Sequence, residues 1–267
     1  MDVRETQLRA HIMSRPPHYH RDFPLVLLWS PKSGCTTLVK WFFDQIGLLE
    51  QALQYNPWVH HYEFEVYKRS PDYYADVLRE MLASKRHTVK LVRNPYARAV
   101  SAFLILALLE NKLFDDVRAT IVNHPAVRRV RGEGITFRRF LTYLAHAGQE
   151  GASVNMHFAP QYMEGEEHDV DQYMYLENLT GEIRALERMH GLRRSNLARL
   201  SKSSHHTSSG MRYTGAYADV NLLDPHYPRF PTVDSFYDDE TEALVRLVYR
   251  QDYAAYGYPL IRSRTRS

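Results

Sequence analysis

The sequence predicts an α/β fold in three layers, with a parallel central sheet and helices on both of its faces. The segment Leu25–Trp29 is short and continuously apolar, which is typical of a strand buried in a parallel sheet. It is followed by the small and polar residues of Ser30–Thr37 and then by an amphipathic stretch, Thr37–Leu49. The same order recurs where the β-rich run Thr88–Val92 leads into the strongly periodic Tyr96–Leu109. Two such units of strand, turn and helix indicate an alternating α/β chain.

The remaining elements follow from apolar periodicity and from residues typical of helix ends. Residues 1–23 are polar and contain Pro16 and Pro17, so we expect an irregular lead-in, and the basic tail 262–267 is expected to fray. No repeat or low-complexity linker divides the chain, so 1–267 is predicted to form a single domain. The other predicted elements are helices at Asp72–Ser84, Thr136–Ala147, Asn178–His190 and Asp239–Tyr249, and a third strand at Tyr173–Leu176.

Composition excludes several classes of protein. The 267 residues carry a net charge of +3 and one cysteine, which excludes an internal disulfide and a cysteine-based zinc site. So small a charge does not favour nucleic acid as a partner. The longest apolar run, Ala102–Leu109, is far shorter than the roughly 20 residues that a membrane span needs. Met1–Arg21 is polar and lacks the features of a signal peptide, so we expect a cytoplasmic protein.

The loop between the first strand and its helix has the chemistry of an anion site. Its sequence at 31–37 is Pro-Lys-Ser-Gly-Cys-Thr-Thr. Backbone N–H groups converge where a strand turns into a helix, and the helix N terminus adds about half a positive charge. Gly34 allows a close backbone approach to an anion, and Lys32 adds a full charge. Because Lys32 precedes Gly34, the loop is not the nucleotide-triphosphatase type. Further hydroxyl donors are Ser33, Thr36 and Thr37.

A second candidate phosphate site follows the second predicted strand. It begins with Arg93-Asn94-Pro95 and ends with Ser101-Ala102-Phe103. Arg93 stands at the end of the strand, and Ser101 lies a little over two helical turns further on. An anion held by both residues therefore lies across the side of the helix. The guanidinium fork of Arg93 matches the oxygens of a phosphate group.

In this order, the two motifs resemble those of the sulfotransferases that use PAPS (3′-phosphoadenosine-5′-phosphosulfate), most closely the carbohydrate branch, family 2. The resemblance implies the P-loop-like sulfotransferase fold, with PAPS as donor, PAP as product and no metal. It also implies that the loop Lys32–Thr37, Cys35 included, binds the 5′-phosphosulfate. Arg93 and Ser101 would then bind the 3′-phosphate and select PAPS over ATP.

Weaker similarities to the same family run in patches from about Leu25 to Tyr258. The polar loop that contains Lys202, Ser204 and His205 is similar to a late loop that closes over the 3′-phosphate in related enzymes. The segment Asn155–Gln161 resembles a His-Trp-x-Pro-Gln element of carbohydrate sulfotransferases, which makes His157 a candidate acceptor-binding residue. The elements Tyr175–Leu179 and Tyr249–Tyr253 also have counterparts in the family.

Sulfuryl transfer requires a base for the proton of the acceptor hydroxyl, and histidine suits this role near neutral pH. In the polysaccharide branch of the family, the base is a His or Glu between the two phosphate motifs. Here Trp58–Glu63 is expected to form the edge of a second strand facing the loop. Its candidates are His61, then His60, then Glu63. No carboxylate at helical spacing completes a metal site with the His pair, so no metal is expected.

The sequence thus predicts direct in-line transfer of a sulfuryl group from PAPS to a hydroxyl of a carbohydrate or glycolipid, in a bacterial enzyme. Lys32 and the loop N–H groups would stabilise the developing charge. Two alternatives stay open: a nucleotide kinase or NTPase of related fold, and a non-catalytic protein that binds PAP or a glycan. The sequence defines neither the acceptor nor the oligomeric state.

Overall fold

The computed structural model describes residues 3–107, 112–151, 154–202, 210–227 and 231–262. The strands are β1 (Leu25–Leu28), β2 (His87–Val92) and β3 (Gln172–Tyr175). The helices are α1 (Val3–Ser14), α2 (Cys35–Gln45), α3 (Leu49–Tyr55), α4 (Val59–Glu65), α5 (Tyr73–Ala83), α6 (Pro95–Leu104), α7 (Asp115–Asn123), α8 (Phe137–Gln149), α9 (Leu179–Met189), α10 (Leu197–Leu200), α11 (Asp239–Val248) and α12 (Arg250–Tyr256). Short 3₁₀ helices include Tyr67–Arg69 and Leu176–Asn178.

The sheet is parallel throughout its three strands, in the order β1-β2-β3. Leu25 pairs with His87, and Val89 pairs with Gln172. Because the strands are parallel, their carboxyl ends meet at one edge of the sheet, which is where α/β proteins bind ligands. The loop before α2, Arg93 after β2 and Leu176 after β3 all follow these carboxyl ends.

Strands β1 and β2 are buried on both faces, and the parallel sheet flanked by helices confirms the predicted α/β class. Val26 and Leu28 of β1 pack with residues of α1 and α5 in one apolar cluster. Leu25 and Leu27 point to the opposite face, because side chains alternate along a strand, and both are fully buried. Burial on both faces explains why this strand is apolar at every position rather than alternating.

The chain forms two compact units. The first contains residues 1–93 and 162–204, and thus the sheet with α1–α5, α9 and α10. The second contains residues 94–161 and 205–267, with α6–α8, α11 and α12. The single domain that the sequence suggests stays a prediction.

The second unit has its own aromatic core and a buried arginine that is paired with carboxylates. Its core includes Phe103, Phe137, Phe140 and Phe236. The buried guanidinium of Arg138 binds three carboxylates, those of Asp219 (2.6 Å), Asp238 (2.5 Å) and Glu240 (2.6 Å). Such pairing compensates the cost of removing the guanidinium from water.

Helix α6 begins as the sequence predicts. The Asn94 side chain accepts a hydrogen bond from the Tyr96 N–H at 2.9 Å, and Pro95 occupies the first helical turn. The helix is shorter than the predicted Tyr96–Leu109, because it continues after Leu104 as a 3₁₀ helix at Ile105–Ala107. Residues 108 and 109 lie outside the described residues.

The lead-in predicted as irregular is ordered by contacts that composition does not reveal. Residues 1–23 contain α1, whose Leu8 and Ile12 lie one turn apart and are buried against α5 and β1. Of the tail 262–267, which the sequence predicts to fray, the described residue is Arg262, and it forms ion pairs with Asp234 and with Glu242. Residues 263–267 lie outside the described residues. Among those that are described, no helix combines the length and the apolar character that crossing a bilayer requires.

Trp58–Glu63 is not the edge of a strand, as the sequence predicted, but part of α4. The buried positions of this segment are Val59, Tyr62 and Glu63. Their spacing of three and four residues is that of a helix face, and a charged residue occupies one of the buried positions. The strand prediction was wrong because the buried positions follow the period of a helix and do not alternate as they would along a strand.

Candidate active site

The loop between β1 and α2 adopts a backbone suited to an anion. Lys32 and Gly34 both have positive φ values, +67° and +88°. Successive N–H groups in such alternating conformations form anion-binding concavities. The Gly34 carbonyl accepts the first helical bonds, from the N–H groups of Thr37 at 3.0 Å and Leu38 at 3.1 Å. The helix therefore makes no use of the N–H groups before Thr37, which lie at its positive end.

Gly34 is also required by packing. A Cβ atom at Gly34 would lie 2.6 Å from Leu176 Cδ1 and 3.4 Å from Leu91 Cδ2. Because Gly34 has no side chain, Leu91 of β2 and Leu176 after β3 can pack closely against the loop. From the sequence alone, this glycine is expected to allow the close approach of an anion. Ser33 is fully buried, and its N–H donates to the Ser30 carbonyl at 3.2 Å. The shape of the loop is thus fixed by the sheet edge.

Arg93 reaches this loop directly. Its Nη1 donates a hydrogen bond to the Lys32 carbonyl at 2.9 Å, so the first unit joins the predicted loop to the first residue of the second motif. Ser101, the other predicted 3′-phosphate residue, lies on α6 of the second unit and is partly exposed. The pairing of Arg93 with Ser101 around a phosphate stays a prediction.

The structure brings His60 to the loop. Its Nε2 lies 3.1 Å from Thr36 Oγ1 and 3.9 Å from Cys35 Sγ. Its Nδ1 lies 2.6 Å from Glu63 Oε2, one helical turn along α4. One ring nitrogen of His60 therefore faces the N terminus of α2, while the other is held by a buried carboxylate.

Electrostatics favour the charged forms of this cluster. Burial by itself lowers the pKa of His60, but hydrogen bonds to Cys35 and Glu63 outweigh it and raise that pKa to about 10. Burial likewise opposes ionisation of Cys35, yet the hydrogen bond and charge of His60 lower the pKa of the thiol. His60 and Cys35 thus stabilise each other as an imidazolium and a thiolate.

His61, the first candidate from the sequence, has a different environment. Its side chain is 51% exposed, and its Nδ1 lies 2.7 Å from Glu65 Oε1 on the same helix. Consecutive helical residues point in directions about 100° apart, so only one of the two histidines can face the loop.

Two aromatic side chains flank His60. The ring centroid of Trp58 lies 6.2 Å from that of His60, and the Phe64 ring stacks on His60 at 6.3 Å. Both aromatic side chains are large and 42% exposed. Sequence reasoning missed this pair, although Phe64 stands four residues after His60, a spacing that places both on one helix face.

Sequence reasoning also missed a groove in the first unit. It has a volume of about 490 Å³, which lies within the range of small-molecule sites. One wall is formed by α10, a helix of four residues whose N-cap is Asn196, and so short a helix gives no periodic pattern. The groove begins at Thr37 of the loop and is lined further by Leu179, Thr180, Ile183, Arg184, Leu197, Ala198 and Ser201.

The remaining predicted site residues are those of the late polar loop and the candidate acceptor-binding residue His157. The carbonyl of exposed Lys202 accepts a hydrogen bond from Lys40 Nζ at 2.8 Å. Ser204 and His205 lie outside the described residues. His157 belongs to the second unit, where its Nδ1 lies 2.9 Å from Asn155 Oδ1. Within the described part of the chain, no group of three or more His, Cys, Asp and Glu residues is arranged to hold a metal ion.

An anion-binding loop at the carboxyl edge of a parallel sheet, with a histidine–carboxylate pair beside it, is typical of enzymes that transfer an anionic group. A family model described as "Sulfotransferase family" matches residues 19–259, nearly the whole chain. The chain therefore belongs to the sulfotransferase family, which confirms the resemblance seen in its motifs. No curated protein and no solved structure matches it significantly. Family membership supports sulfuryl transfer to a hydroxyl-bearing acceptor as the general chemistry.

Proposed function

We propose that the protein transfers the sulfuryl group of PAPS directly to a hydroxyl of a carbohydrate or glycolipid, with His60 as the base. One observation carries this proposal. His60 Nε2 lies 3.1 Å from Thr36 Oγ1 in the anion-binding loop, while its Nδ1 is held by Glu63 at 2.6 Å. This is the geometry of a general base whose reactive nitrogen points to the place where an anionic group binds.

The chemistry of the loop fits the donor. Bound PAPS would supply an activated sulfuryl group together with phosphate anions. Lys32, the Thr36 hydroxyl and the N–H groups at the start of α2 are all cations or hydrogen-bond donors, which is what a phosphosulfate requires. We assign the 3′-phosphate to Arg93 and Ser101, as the family resemblance implies. The groove beside Thr37 has room for the nucleoside.

In the proposed step, His60 Nε2 takes the hydroxyl proton as the acceptor oxygen forms its bond to sulfur. The bond between sulfur and the phosphate oxygen breaks, and its electron pair leaves with PAP. Lys32 and the loop N–H groups stabilise the negative charge that develops there. We favour His60 over His61 as the base because His61 is paired with Glu65 in solvent.

The surroundings of His60 support an acceptor with an apolar ring face. Trp58 and Phe64 flank His60 and remain partly exposed. Aromatic faces pack well against a flat surface that carries polar groups at its rim, as a sugar ring does. We therefore infer that the acceptor ring packs on these two side chains while its hydroxyl meets Nε2.

Calorimetric titration tests the donor. PAP is expected to bind in the micromolar range, with much weaker binding of 5′-AMP and of ATP–Mg²⁺, because only PAP carries the 3′-phosphate that Arg93 and Ser101 would hold. Binding of ATP–Mg²⁺ in place of PAP would favour the kinase alternative. Binding of PAP without turnover of PAPS against a panel of glycans would favour the non-catalytic alternative.

A lysine variant tests the loop. Lys32→Ala is expected to lower the transfer rate from PAPS by about 10²-fold or more, because a positioned charge at the developing anion is lost. Lys85→Ala, at an exposed lysine between α5 and β2, is the control and should match the wild type. Near-wild-type transfer by Lys32→Ala would contradict the assignment.

A further inference from the structure

Glu63, on the far side of His60, is fully buried. Its Oε2 lies 2.6 Å from His60 Nδ1, and its Oε1 accepts a hydrogen bond from Lys68 Nζ at 2.5 Å. His18 Nδ1 lies 3.4 Å from the same Oε1. The exposed fractions of Lys68 and His18 are 2% and 1%. A carboxylate, an ammonium and two imidazoles therefore share one buried cluster, which we call the Glu63 cluster.

Lys68 is fixed in the Glu63 cluster by more than its charge. Its Nζ also donates to the Pro16 carbonyl at 2.6 Å and lies over the rings of Trp29 (5.6 Å) and Phe64 (5.4 Å). Burying an unpaired charge is costly, whereas a pair with further hydrogen bonds is tolerated. Burial of the charged Lys68 is therefore tolerated because Glu63 is ionised.

In the Glu63 cluster, Glu63 and Lys68 are charged, whereas His18 is neutral. Burial favours the neutral carboxyl, but the charge of Lys68 and the hydrogen bond to His60 together hold the pKa of Glu63 well below its usual range. Burial lowers the pKa of His18 well below its ordinary value, so His18 is neutral. It stacks on Trp29 with the ring centroids 6.2 Å apart. Glu63 thus keeps a negative charge, which pairs with Lys68 and also interacts with the His60 ring.

We propose that Glu63, kept ionised by Lys68, is a positioning residue for His60. It orients the ring by holding Nδ1–H, so that Nε2 faces Thr36 and the loop, and it stabilises the imidazolium that forms when Nε2 takes the acceptor proton. The inference rests on His60 as the base of the proposed function. No proton moves to Glu63 in this scheme: the O–H bond of the acceptor breaks, an N–H bond forms at Nε2, and Nδ1 keeps its proton.

Helix α4 supplies a matched comparison. His61 and Glu65 form the same kind of contact, with Nδ1 2.7 Å from Oε1, but their side chains are 51% and 48% exposed. Water screens an exposed pair of this kind, so Glu65 contributes little to the orientation of the His61 ring or to the stability of its charge. Glu65→Gln is therefore the control for Glu63→Gln.

The first measurement is the rate of transfer as a function of pH. Glu63→Gln is expected to lower kcat by about 10²- to 10⁴-fold, because a carboxylate no longer holds the histidine in its working tautomer. The KM for PAPS should stay unchanged. The rising limb of kcat against pH should also move to lower pH, because Cys35 alone then stabilises the imidazolium. Glu65→Gln should leave both kcat and the limb as in the wild type. An unmoved limb in Glu63→Gln would overturn the proposal.

A double variant separates positioning from folding, because Glu63→Gln leaves Lys68 buried without its carboxylate. Glu63→Gln combined with Lys68→Met removes both charges and should restore the melting temperature toward the wild-type value. The kcat should stay as low as in the single variant. Recovery of kcat together with stability would show that Glu63 only supports the fold, and would overturn the proposal.

A ring titration distinguishes failure of this inference from failure of the proposed function. In the PAP-free protein, ¹⁵N NMR of the histidine rings should give His60 a pKa of about 10. In the double variant the pKa of His60 should fall, because the contribution of Glu63 is lost while that of Cys35 remains. An unchanged His60 titration overturns the role of Glu63, whatever the enzyme does. If instead His60→Ala transfers the sulfuryl group as fast as the wild type, His60 is not the base and the proposed function is wrong on this point. The titration then decides by itself whether Glu63 sets the pKa of His60.

Discussion

Replacement of Gly34 by alanine is the sharpest test of the loop geometry. The residue has φ +88°, a conformation that costs an L-residue roughly 1 kcal/mol. Its added Cβ would also lie 2.6 Å from Leu176 Cδ1 and 3.4 Å from Leu91 Cδ2. The first penalty comes from the backbone alone, and the second comes from packing against the sheet edge.

Gly47 allows the two penalties to be separated. It has φ +76°, and a Cβ built on it has no neighbour within 4 Å. Gly47→Ala is therefore expected to cost about 1 kcal/mol, from the backbone conformation alone. Gly34→Ala pays the same penalty and must also displace Leu176, which overpacks the site and adds about 1–3 kcal/mol. The expected total for Gly34→Ala is about 2–4 kcal/mol.

Thermal unfolding and PAP calorimetry together provide the assay. Gly47→Ala should lower the melting temperature by about 2–4 °C, and Gly34→Ala by about two to four times as much. Gly34→Ala should also weaken PAP binding by about tenfold or more, since a shift of the loop misaligns its N–H donors, whereas Gly47→Ala should bind PAP normally. Equal melting temperatures for the two variants, with normal PAP binding by both, would refute the argument that this glycine shapes the anion site.

Two further variants test the surroundings of His60. Because the Cys35 thiolate helps to raise the pKa of His60, Cys35→Ser should lower that pKa. Under the proposed function the neutral ring of His60 acts as the base, so the rise of kcat with pH should then begin at lower pH. A pH–rate profile measures this, and an unmoved profile excludes the pairing of His60 with Cys35. Trp58→Ala should raise the acceptor KM by about tenfold and leave PAP affinity unchanged, because the proposed function places the acceptor ring, and not PAP, on Trp58. Steady-state kinetics with both substrates measures the two effects, and a loss of PAP affinity would contradict this placement.

The sheet and its loop could be predicted because they depend on local pattern. A continuous apolar run such as Leu25–Leu28 has no stable position except between two layers, and parallel strands bring their carboxyl ends together. The Asn-Pro start of α6 is equally local, since an N-cap side chain and a proline act within one turn. Helix α1 could not be predicted, because its stability comes from the contacts of Leu8 and Ile12 with distant elements.

The choice between His60 and His61 depends on which residues of the segment are buried. Along the sequence, each histidine has a glutamate within one turn, at Glu63 and at Glu65, so the two pairs look alike. What distinguishes them is Lys68, which lies five residues beyond Glu63 and shares its burial. In isolation this lysine is indistinguishable from an exposed one, and lysine is almost never fully buried unless it is paired.

The Glu63 cluster also explains how a base can work beside a loop built for anions. Lys32 and the N terminus of α2 favour negative charge in the loop. Glu63 supplies a compensating charge from the opposite side of the ring, inside the protein, where the donor cannot displace it. Cys35 and Glu63 together raise the pKa of His60, so the neutral ring is a minor species at neutral pH and its fraction grows toward a pKa of about 10. Under the proposed function, the firm orientation of His60 follows from Glu63, and an alkaline preference for transfer follows from Cys35 and Glu63 together.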